Sequence, residues 1–113
     1  MIGIVILNYN SFSDTIKLVE KLRLQSLAKD LLIIIVDNAS PNNSFKHLKP
    51  LEKKFSNVKV LQTGENLGYA KGNNFGLNYL DNNVKPDYVA ILNIMKGWGG
   101  KISSYPLLFV TYY

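Results

Sequence analysis

Three polar clusters, each placed directly after an apolar run, are the first candidates for chemistry in this sequence. They are Asn8-Tyr9-Asn10, Asp37-Asn38-Ala39-Ser40 and Asn93. A carboxylate accepts hydrogen bonds strongly, and carboxamides both donate and accept, so these groups suit the recognition of a polar ligand. Open α/β sheets hold their ligands at the carboxyl ends of the strands. The sequence therefore predicts a ligand site that includes Asp37.

The apolar runs before these clusters are the elements that must position them. Residues 31–36 are continuously apolar, and residues 2–7 and 88–92 repeat the design. A strand whose residues do not alternate between apolar and polar is covered on both faces, which is typical of a parallel sheet between helices. The carboxyl ends of parallel strands meet at one edge of the sheet, so we expect the three clusters to lie together there.

A fourth candidate is the stretch of residues 64–76, which carries four glycines and three asparagines. Glycines there permit positive φ and a close approach of a ligand, and the amino end of a helix offers free N–H groups to an anion. A tight turn with close helix packing explains the composition equally well. The spacing is neither that of the dinucleotide fingerprint nor that of a phosphate-binding P-loop.

Helical periodicity and turn residues place the remaining elements. We expect a helix over residues 13–24, capped by Ser11 or Ser13, a helix over 45–55 that Pro50 interrupts, and a strand over 58–62. A helix over 69–80 should direct Phe75, Leu77 and Leu80 inward, before the last buried strand. The prediction is an α/β fold with a mostly parallel sheet of about four strands, helices on both faces, and an extra edge strand from the aromatic run at residues 104–113, paired in cis or in trans.

Composition narrows the classes of function. With 113 residues the chain forms one domain, and it has no cysteine, which excludes disulfides and thiol chemistry. No apolar stretch approaches the roughly 20 residues of a membrane span, and no signal peptide is evident, so we expect a cytoplasmic protein that is at most peripheral to a membrane. The net charge of +5 suits a phosphate-bearing ligand, an anionic lipid surface or nucleic acid.

The distribution of the charged and aromatic residues refines this expectation. The lysines are spread along the chain, and the densest group, at residues 46–54, resembles a solvated helix face. No basic stripe or aromatic platform supports nucleic-acid binding. The sole histidine, His47, falls on a helix remote from the strand ends and is not a candidate base.

Four motifs in order carry a resemblance to a known family. Asn8-Tyr9-Asn10 and residues 36–40, 66–76 and 91–93 resemble, in order and spacing, the amino-terminal half of a family 2 glycosyltransferase, with the closest likeness to rhamnosyltransferase-like members. The resemblance implies the Rossmann-like GT-A fold and transfer of a sugar from a nucleotide donor, here a UDP- or dTDP-sugar, to a glycan acceptor in polysaccharide biosynthesis. It also implies that a divalent cation, Mg²⁺ or Mn²⁺, commonly assists.

Residue by residue, the resemblance implies a nucleotide pocket. Asp37 would accept a hydrogen bond from the imide N–H of uracil or thymine, although a loop-capping or helix-capping role also suits this residue. Lys71 would approach the diphosphate or remain in solvent. For the Gly/Asn stretch, packing and binding roles are equally favoured. The nucleotide-binding set implied is Asn8, Tyr9, Asn10, Asp37, Asn38, Asn66, Gly68, Gly72, Asn74 and Asn93.

The chain departs from the family after Asn93. Relatives continue with Pro-Asp, whose aspartate is an acidic position of the metal-binding motif, whereas this chain has Ile94 and Met95, which offer no side-chain oxygen. We therefore expect a truncated GT-A nucleotide-sugar-binding domain over residues 1–93, a divergent tail over 94–113 of the kind a frameshift leaves, no metal ligands, and little transferase activity. The alternative is a non-enzymatic α/β module that forms a homo-oligomer through the aromatic tail.

Overall fold

A computed structural model describes residues 1–25, 28–95 and 105–112 as one sheet with helices on both faces. A short 3₁₀ turn, Ala28–Asp30, precedes the second strand. The elements in chain order are β1 (Ile2–Asn8), α1 (Phe12–Arg23), β2 (Leu31–Asp37), α2 (Ser44–Leu48), α3 (Leu51–Lys54), β3 (Val58–Gln62), α4 (Gly68–Asn83), β4 (Tyr88–Met95) and β5 (Tyr105–Tyr112).

The sheet order is β3-β2-β1-β4-β5. The first four strands are parallel, and β5 pairs antiparallel with β4 at the outer edge. The predicted four-stranded parallel sheet is therefore confirmed, and the aromatic run pairs in cis. β4 continues to Met95, three residues beyond the apolar run at residues 88–92.

The continuous apolar strands divide the core between two faces. On one face, Ile4, Ile6, Ile33 and Ile35 pack with residues of α1, α2 and α3. On the other face, Val5, Leu7, Ile34 and Val36 pack with Leu80 of α4. Both faces of β1 and β2 are buried, which explains why their sequences show no alternation.

Pro50 separates α2 from α3, as predicted. It has no backbone N–H and occupies the N-cap position of α3, where a missing donor costs little. Ser11 occupies the N-cap position of α1, but its hydroxyl donates to the carbonyl of Tyr9 at 2.9 Å rather than capping the helix. Leu24, which belongs to the apolar periodicity of this segment, lies just past α1 and is 85% exposed.

The inward direction predicted for Phe75 is wrong, because its side chain is 37% exposed. The face of α4 that packs on the sheet is formed by Gly72, Asn73, Gly76 and Leu80. A Cβ on Gly76 would lie 2.7 Å from Val5 Cγ1, so the helix approaches the sheet at its glycines. Glycine carries no hydropathy signal, and the aromatic side chain was therefore a misleading guide to the buried face.

Candidate functional site at the strand ends

The ends of β1 and β2 are joined by a buried hydrogen bond between side chains. Asn8 and Asp37 are direct partners in the parallel register, and Asn93 of β4 lies beside Leu7 on the other side of β1. The Asn8 amide Nδ2 donates to Asp37 Oδ1 at 3.0 Å. Asn8 is fully buried and Asp37 is 2% exposed. The parallel sheet thus brings the predicted polar clusters to one edge.

The carboxylate of Asp37 also holds the loop that follows β2. Oδ1 accepts a hydrogen bond from the Ser40 hydroxyl at 2.5 Å, and Oδ2 accepts one from the Ser40 backbone N–H at 3.3 Å. Ser40 Oγ in turn accepts the backbone N–H of Asn10 at 2.9 Å. This is the loop-capping role that the sequence left open for Asp37, and whether the residue also contacts a nucleotide stays a prediction.

Thr15 is a member of this network that sequence reasoning missed. It lies on α1, is fully buried, and donates its hydroxyl to Asn8 Oδ1 at 2.7 Å. That bond directs the amide oxygen of Asn8 toward the helix and its nitrogen toward Asp37. The available signal was a threonine one turn before Val19, on the side of α1 that the sheet covers. Buried hydroxyls at such positions require a partner.

Two of the four non-glycine residues with positive φ in the described part of the chain lie beside this network. Asn10 and Ala39 have φ values of 53° and 58°, the left-handed region that is uncommon for residues other than glycine. Both residues lie within three positions of the paired strand ends. The hydrogen bonds of Ser40 and Asp37 hold the two loops in these conformations, which is the kind of over-determination found around ligand sites.

Asn38 fastens the Gly/Asn stretch to the end of β2. Its Oδ1 accepts the backbone N–H of Leu67 at 3.0 Å and the Thr63 hydroxyl at 3.3 Å. Its Nδ2 donates to Asn66 Oδ1 at 3.2 Å and to the carbonyl of Gly68 at 3.1 Å. Asn38 is 3% exposed, and its four contacts use the full capacity of a carboxamide. The loop before α4 is therefore positioned by β2.

The glycines of this stretch have two different roles. Gly68, the first residue of α4, has a φ of 80° that suits glycine. At Gly72 a Cβ would lie 2.8 Å from Leu7 Cδ1 and 3.1 Å from Asn38 Nδ2. Gly72 thus serves packing, one of the two roles that its sequence context allowed.

Most of the remaining predicted side chains face solvent, the side chain of Asn93 lies outside the described part of the chain, and Asn73, which was not predicted, is buried. Tyr9, Asn10, Asn66, Lys71 and Asn74 are exposed around the edge of the sheet. By contrast, Asn73 is 7% exposed, and its Oδ1 is buried without a hydrogen bond from the part of the chain that the structure describes. A donor from a ligand or from water would satisfy that oxygen.

A comparison with protein-family models identifies the family of this chain. The family model described as Glycosyl transferase family 2 matches residues 3–93, which include all four strands of the parallel sheet except their outermost ends. The chain belongs to glycosyl transferase family 2. A search of curated proteins gives no match.

Solved structures of glycosyltransferases share the fold. The mannosyltransferase PcManGT from Pyrobaculum calidifontis, in complex with GDP-Man and Mn²⁺, superimposes with a TM-score of 0.71 at 17% identity. The S. aureus protein TarS superimposes with a TM-score of 0.68 at 21% identity in its complex with UDP-GlcNAc, and 0.67 in its complex with UDP. Each match covers 81% of this chain and 26% of the other.

These matches establish the GT-A fold for this glycosyltransferase family member, as the sequence predicted. The identities are low, so the likeness concerns the fold alone. The chain spans about a quarter of the length of these relatives, and what a complete enzyme does with its donor and acceptor is therefore a matter for proposal.

In the part of the chain that the structure describes, the side chains do not form a ligand set for the divalent cation that the family implies. Within residues 1–25 and 28–95, no three Asp, Glu, His or Cys side chains gather into a group that could hold a metal ion. The strand end at which the family resemblance implies an aspartate has Asn93, Ile94 and Met95 instead. Mg²⁺ and Mn²⁺ bind oxygen ligands, which isoleucine and methionine do not supply.

None of the described helices is long and apolar enough to span a membrane.

Proposed function

We propose that this chain is the donor-binding part of a family 2 glycosyltransferase and that it binds the nucleotide of a UDP- or dTDP-sugar at the strand-end edge. The observation that carries the proposal is the family match over residues 3–93 on a fold whose buried polar network lies at the carboxyl ends of β1 and β2. In this proposal a complete enzyme of the family would transfer the sugar to a glycan acceptor in the cytoplasm, for polysaccharide biosynthesis, and this chain corresponds to its donor-binding part.

The hydrogen-bond capacity of Asp37 supports a pyrimidine base. An ionised carboxylate offers about four acceptor positions. Asn8 Nδ2, the Ser40 hydroxyl and the Ser40 backbone N–H occupy three of them, and Oδ2 receives only the last of these bonds. One position on Oδ2 is left for the imide N–H of uracil or thymine, which the network would hold in a fixed direction.

The other residues of the proposed pocket come from the surrounding loops. Asn8 and Asn38 order the loops from within, while Tyr9, Asn10, Asn66 and Asn74 present exposed side chains to a ligand. Neighbouring structures with bound GDP-Man, UDP and UDP-GlcNAc show that this fold accommodates nucleotide sugars in other proteins.

Sugar transfer by the isolated chain is not part of the proposal. The acidic position after Asn93 is absent, and the solved relatives are about three times as long. We propose that residues 1–93 form the truncated nucleotide-sugar-binding domain, that residues 94–113 diverge from the family, and that the 113-residue chain binds without transferring.

Calorimetric titration of the chain with UDP, dTDP and GDP tests the proposal. We expect UDP or dTDP to bind more tightly than GDP, and Asp37→Asn to weaken that binding about tenfold because a bond to a charged acceptor is lost. Asp81→Asn, an exposed acid on α4, is the matched control and should bind as the original chain does. No binding of either pyrimidine nucleotide at millimolar concentration, with the fold intact by circular dichroism, would overturn the proposal. Sugar transfer by the 113-residue chain would overturn its inactivity.

A second candidate function is self-association through β5. This strand, Tyr105–Tyr112, lies at the outer edge of the sheet, with β4 on its inner side. An edge strand offers backbone donors and acceptors to another chain. Light scattering should then show a dimer that is lost when residues 102–113 are deleted, and a monomer at high concentration would exclude this candidate. The two functions are compatible.

A further inference from the structure

The net charge of the chain is concentrated in one short stretch. Residues 46–59 carry five lysines and a single acid, Glu52, for a net charge of +4, out of +5 for the whole chain. The other 99 residues carry eight basic and seven acidic side chains and are almost neutral. The positive potential of this protein therefore comes from α2, α3 and the start of β3.

The lysines of this stretch surround an apolar groove. Phe45 and Pro50 form its apolar part, and Lys46, Lys49 and Lys53 line it, in an open volume of about 390 Å³. All three lysines are exposed. The long methylene stems of lysines can lie on apolar surface while their ammonium groups reach outward. The groove thus combines an apolar floor with a cationic rim.

The one acid of the stretch neutralises part of this rim, because it pairs with Lys49, and it leaves the charges of Lys46 and Lys53. Glu52 Oε2 accepts a hydrogen bond from the Val60 backbone N–H at 2.8 Å and pairs with Lys49 Nζ at 2.9 Å and Lys59 Nζ at 3.9 Å. Its charge is thus shared between a strand edge and two lysines. Residues 88–113 contain no Asp or Glu.

We propose that the face formed by α2 and α3 docks on an anionic phospholipid bilayer. Lysine ammonium groups would bind the phosphates of the lipid headgroups, and the exposed Pro50 with the accessible part of Phe45 would contact the headgroup layer. This inference is independent of nucleotide binding at the strand ends.

The chemistry of the face favours lipid over nucleic acid. Nucleic-acid sites that read bases use arginine forks, and those that bind single strands use free aromatic faces. The sole arginine, Arg23, instead donates to Asn57 Oδ1 at 2.9 Å and lies over the Phe55 ring at 5.0 Å. The ring of Phe45 is covered by the Lys49 ammonium group at 5.7 Å. What remains is point charges over an apolar floor, the composition of a membrane-surface site.

Flotation of the full chain with vesicles tests the inference. Vesicles of phosphatidylcholine alone are compared with vesicles that also contain phosphatidylglycerol. We expect binding only to the anionic vesicles, weakened by salt because the attraction is screened. Replacement of Lys46 and Lys53 by glutamine should weaken binding roughly 25-fold, since each lysine near an anionic surface contributes about fivefold.

A matched variant separates the face from bulk charge. Lys17 and Lys21 are exposed on α1, and their replacement by glutamine removes the same two charges. We expect this variant to bind within about twofold of the original chain. Equal losses in both variants, or equal binding to neutral vesicles, would overturn the inference.

Further arms identify the source of the phosphate. Soluble glycerophosphate should not displace the chain from vesicles, whereas displacement would indicate a site for free phosphate and overturn lipid docking. Duplex DNA of random sequence, titrated at the same ionic strength, should bind more weakly than anionic vesicles. Tighter binding to DNA, with the same sensitivity to Lys46 and Lys53, would assign the face to nucleic acid instead.

Discussion

The Asn8 amide and the Asp37 carboxylate, 29 positions apart, meet in a 3.0 Å hydrogen bond beneath the strand-end edge. This bond connects two strands, and through Thr15 and Ser40 it also connects a helix and a loop. Asn8 is fully buried. If its side chain is removed, water therefore cannot take its place as the hydrogen-bond partner of Thr15 and Asp37. The polar network is consequently a determinant of stability as well as of site geometry.

Asn8→Ala should lower the free energy of unfolding by about 3 kcal/mol, because the Thr15 hydroxyl and Asp37 Oδ1 each lose a buried partner. Denaturation with urea measures the change. Asn74→Ala, on the exposed side of α4, is the control and should change stability by less than about 1 kcal/mol. Equal stability of the two variants would contradict the role assigned to Asn8.

Thr15→Val should weaken nucleotide binding more than Thr15→Ser. Valine keeps the shape but removes the hydroxyl that orients Asn8, whereas serine retains a donor. We expect valine to cost about 1–2 kcal/mol of stability and to reduce affinity for UDP several-fold, with serine restoring most of the affinity. Calorimetry on folded samples of both variants measures this difference, and equal affinity in the two would show that Thr15 does not act through Asn8.

Gly76→Ala should destabilise the chain although alanine is the better helix former. The added Cβ would lie 2.7 Å from Val5 Cγ1 and 2.9 Å from Val36 Cγ2. Overpacking of this kind costs about 1–3 kcal/mol, which exceeds the gain of up to about 1 kcal/mol in helix propensity. Thermal unfolding measures the net effect. Asn78→Ala, exposed on the same helix, should be neutral or stabilising, and a more stable Gly76→Ala chain would refute the close approach.

Asn38→Ala should release the loop before α4. The Leu67 backbone N–H, which donates to Asn38 Oδ1 at 3.0 Å, should exchange with solvent at least about tenfold faster in deuterium exchange by NMR. The Val60 backbone N–H, bonded to Glu52, is the internal control and should be unchanged. Unaltered exchange at Leu67 would mean that other contacts hold this loop.

Acid should selectively weaken the contact between α3 and β3. Burial of the Glu52 carboxyl raises its pKa, but the hydrogen bonds from the Val60 N–H and Lys49, with the charges of Lys49 and Lys59, outweigh this effect and leave the pKa lowered. A lowered pKa in the folded state means that the charged form stabilises the fold above the usual glutamate value of about 4.3 and that this contribution disappears as the pH falls through the lower folded value.

Glu52→Gln therefore should cost about 1 kcal/mol at neutral pH and almost nothing at strongly acidic pH. Urea denaturation of both chains over a pH series measures the difference. Asp81→Asn serves as the control, and its difference in free energy of unfolding from the original chain should stay constant over the pH series. A difference in free energy of unfolding between Glu52→Gln and the original chain that does not change with pH would contradict this account.

The parallel sheet was predictable because its signal is strong. Runs such as residues 31–36 bury both faces, and the carboxyl ends of parallel strands necessarily share an edge, so the proximity of Asn8 and Asp37 followed from the pattern. The interruption at Pro50 followed from the missing N–H of proline. The family itself followed from the order of four motifs.

The hydrogen-bond network of the site and the buried face of α4 were harder to predict from the sequence. Thr15 resembles any threonine on an amphipathic helix, and its role appears only when the distance to Asn8 is known. The buried face of α4 escaped because glycines define it, while Phe75 attracted attention by hydrophobicity alone. Hydrogen-bond partners depend on rotamers and loop paths that single-residue propensities do not encode.

The polar network of Thr15, Asn8, Asp37 and Ser40 draws every member from the first 40 residues of the chain. All the groups that orient the Asp37 carboxylate are thus synthesised before β3, α4 and β4. During translation, the β1-α1-β2 unit emerges with these hydrogen-bonding groups complete, and the later elements contribute the remaining sheet contacts and the loop clamped by Asn38. The groups that orient the carboxylate of this site are consequently available before the rest of the parallel sheet has been synthesised.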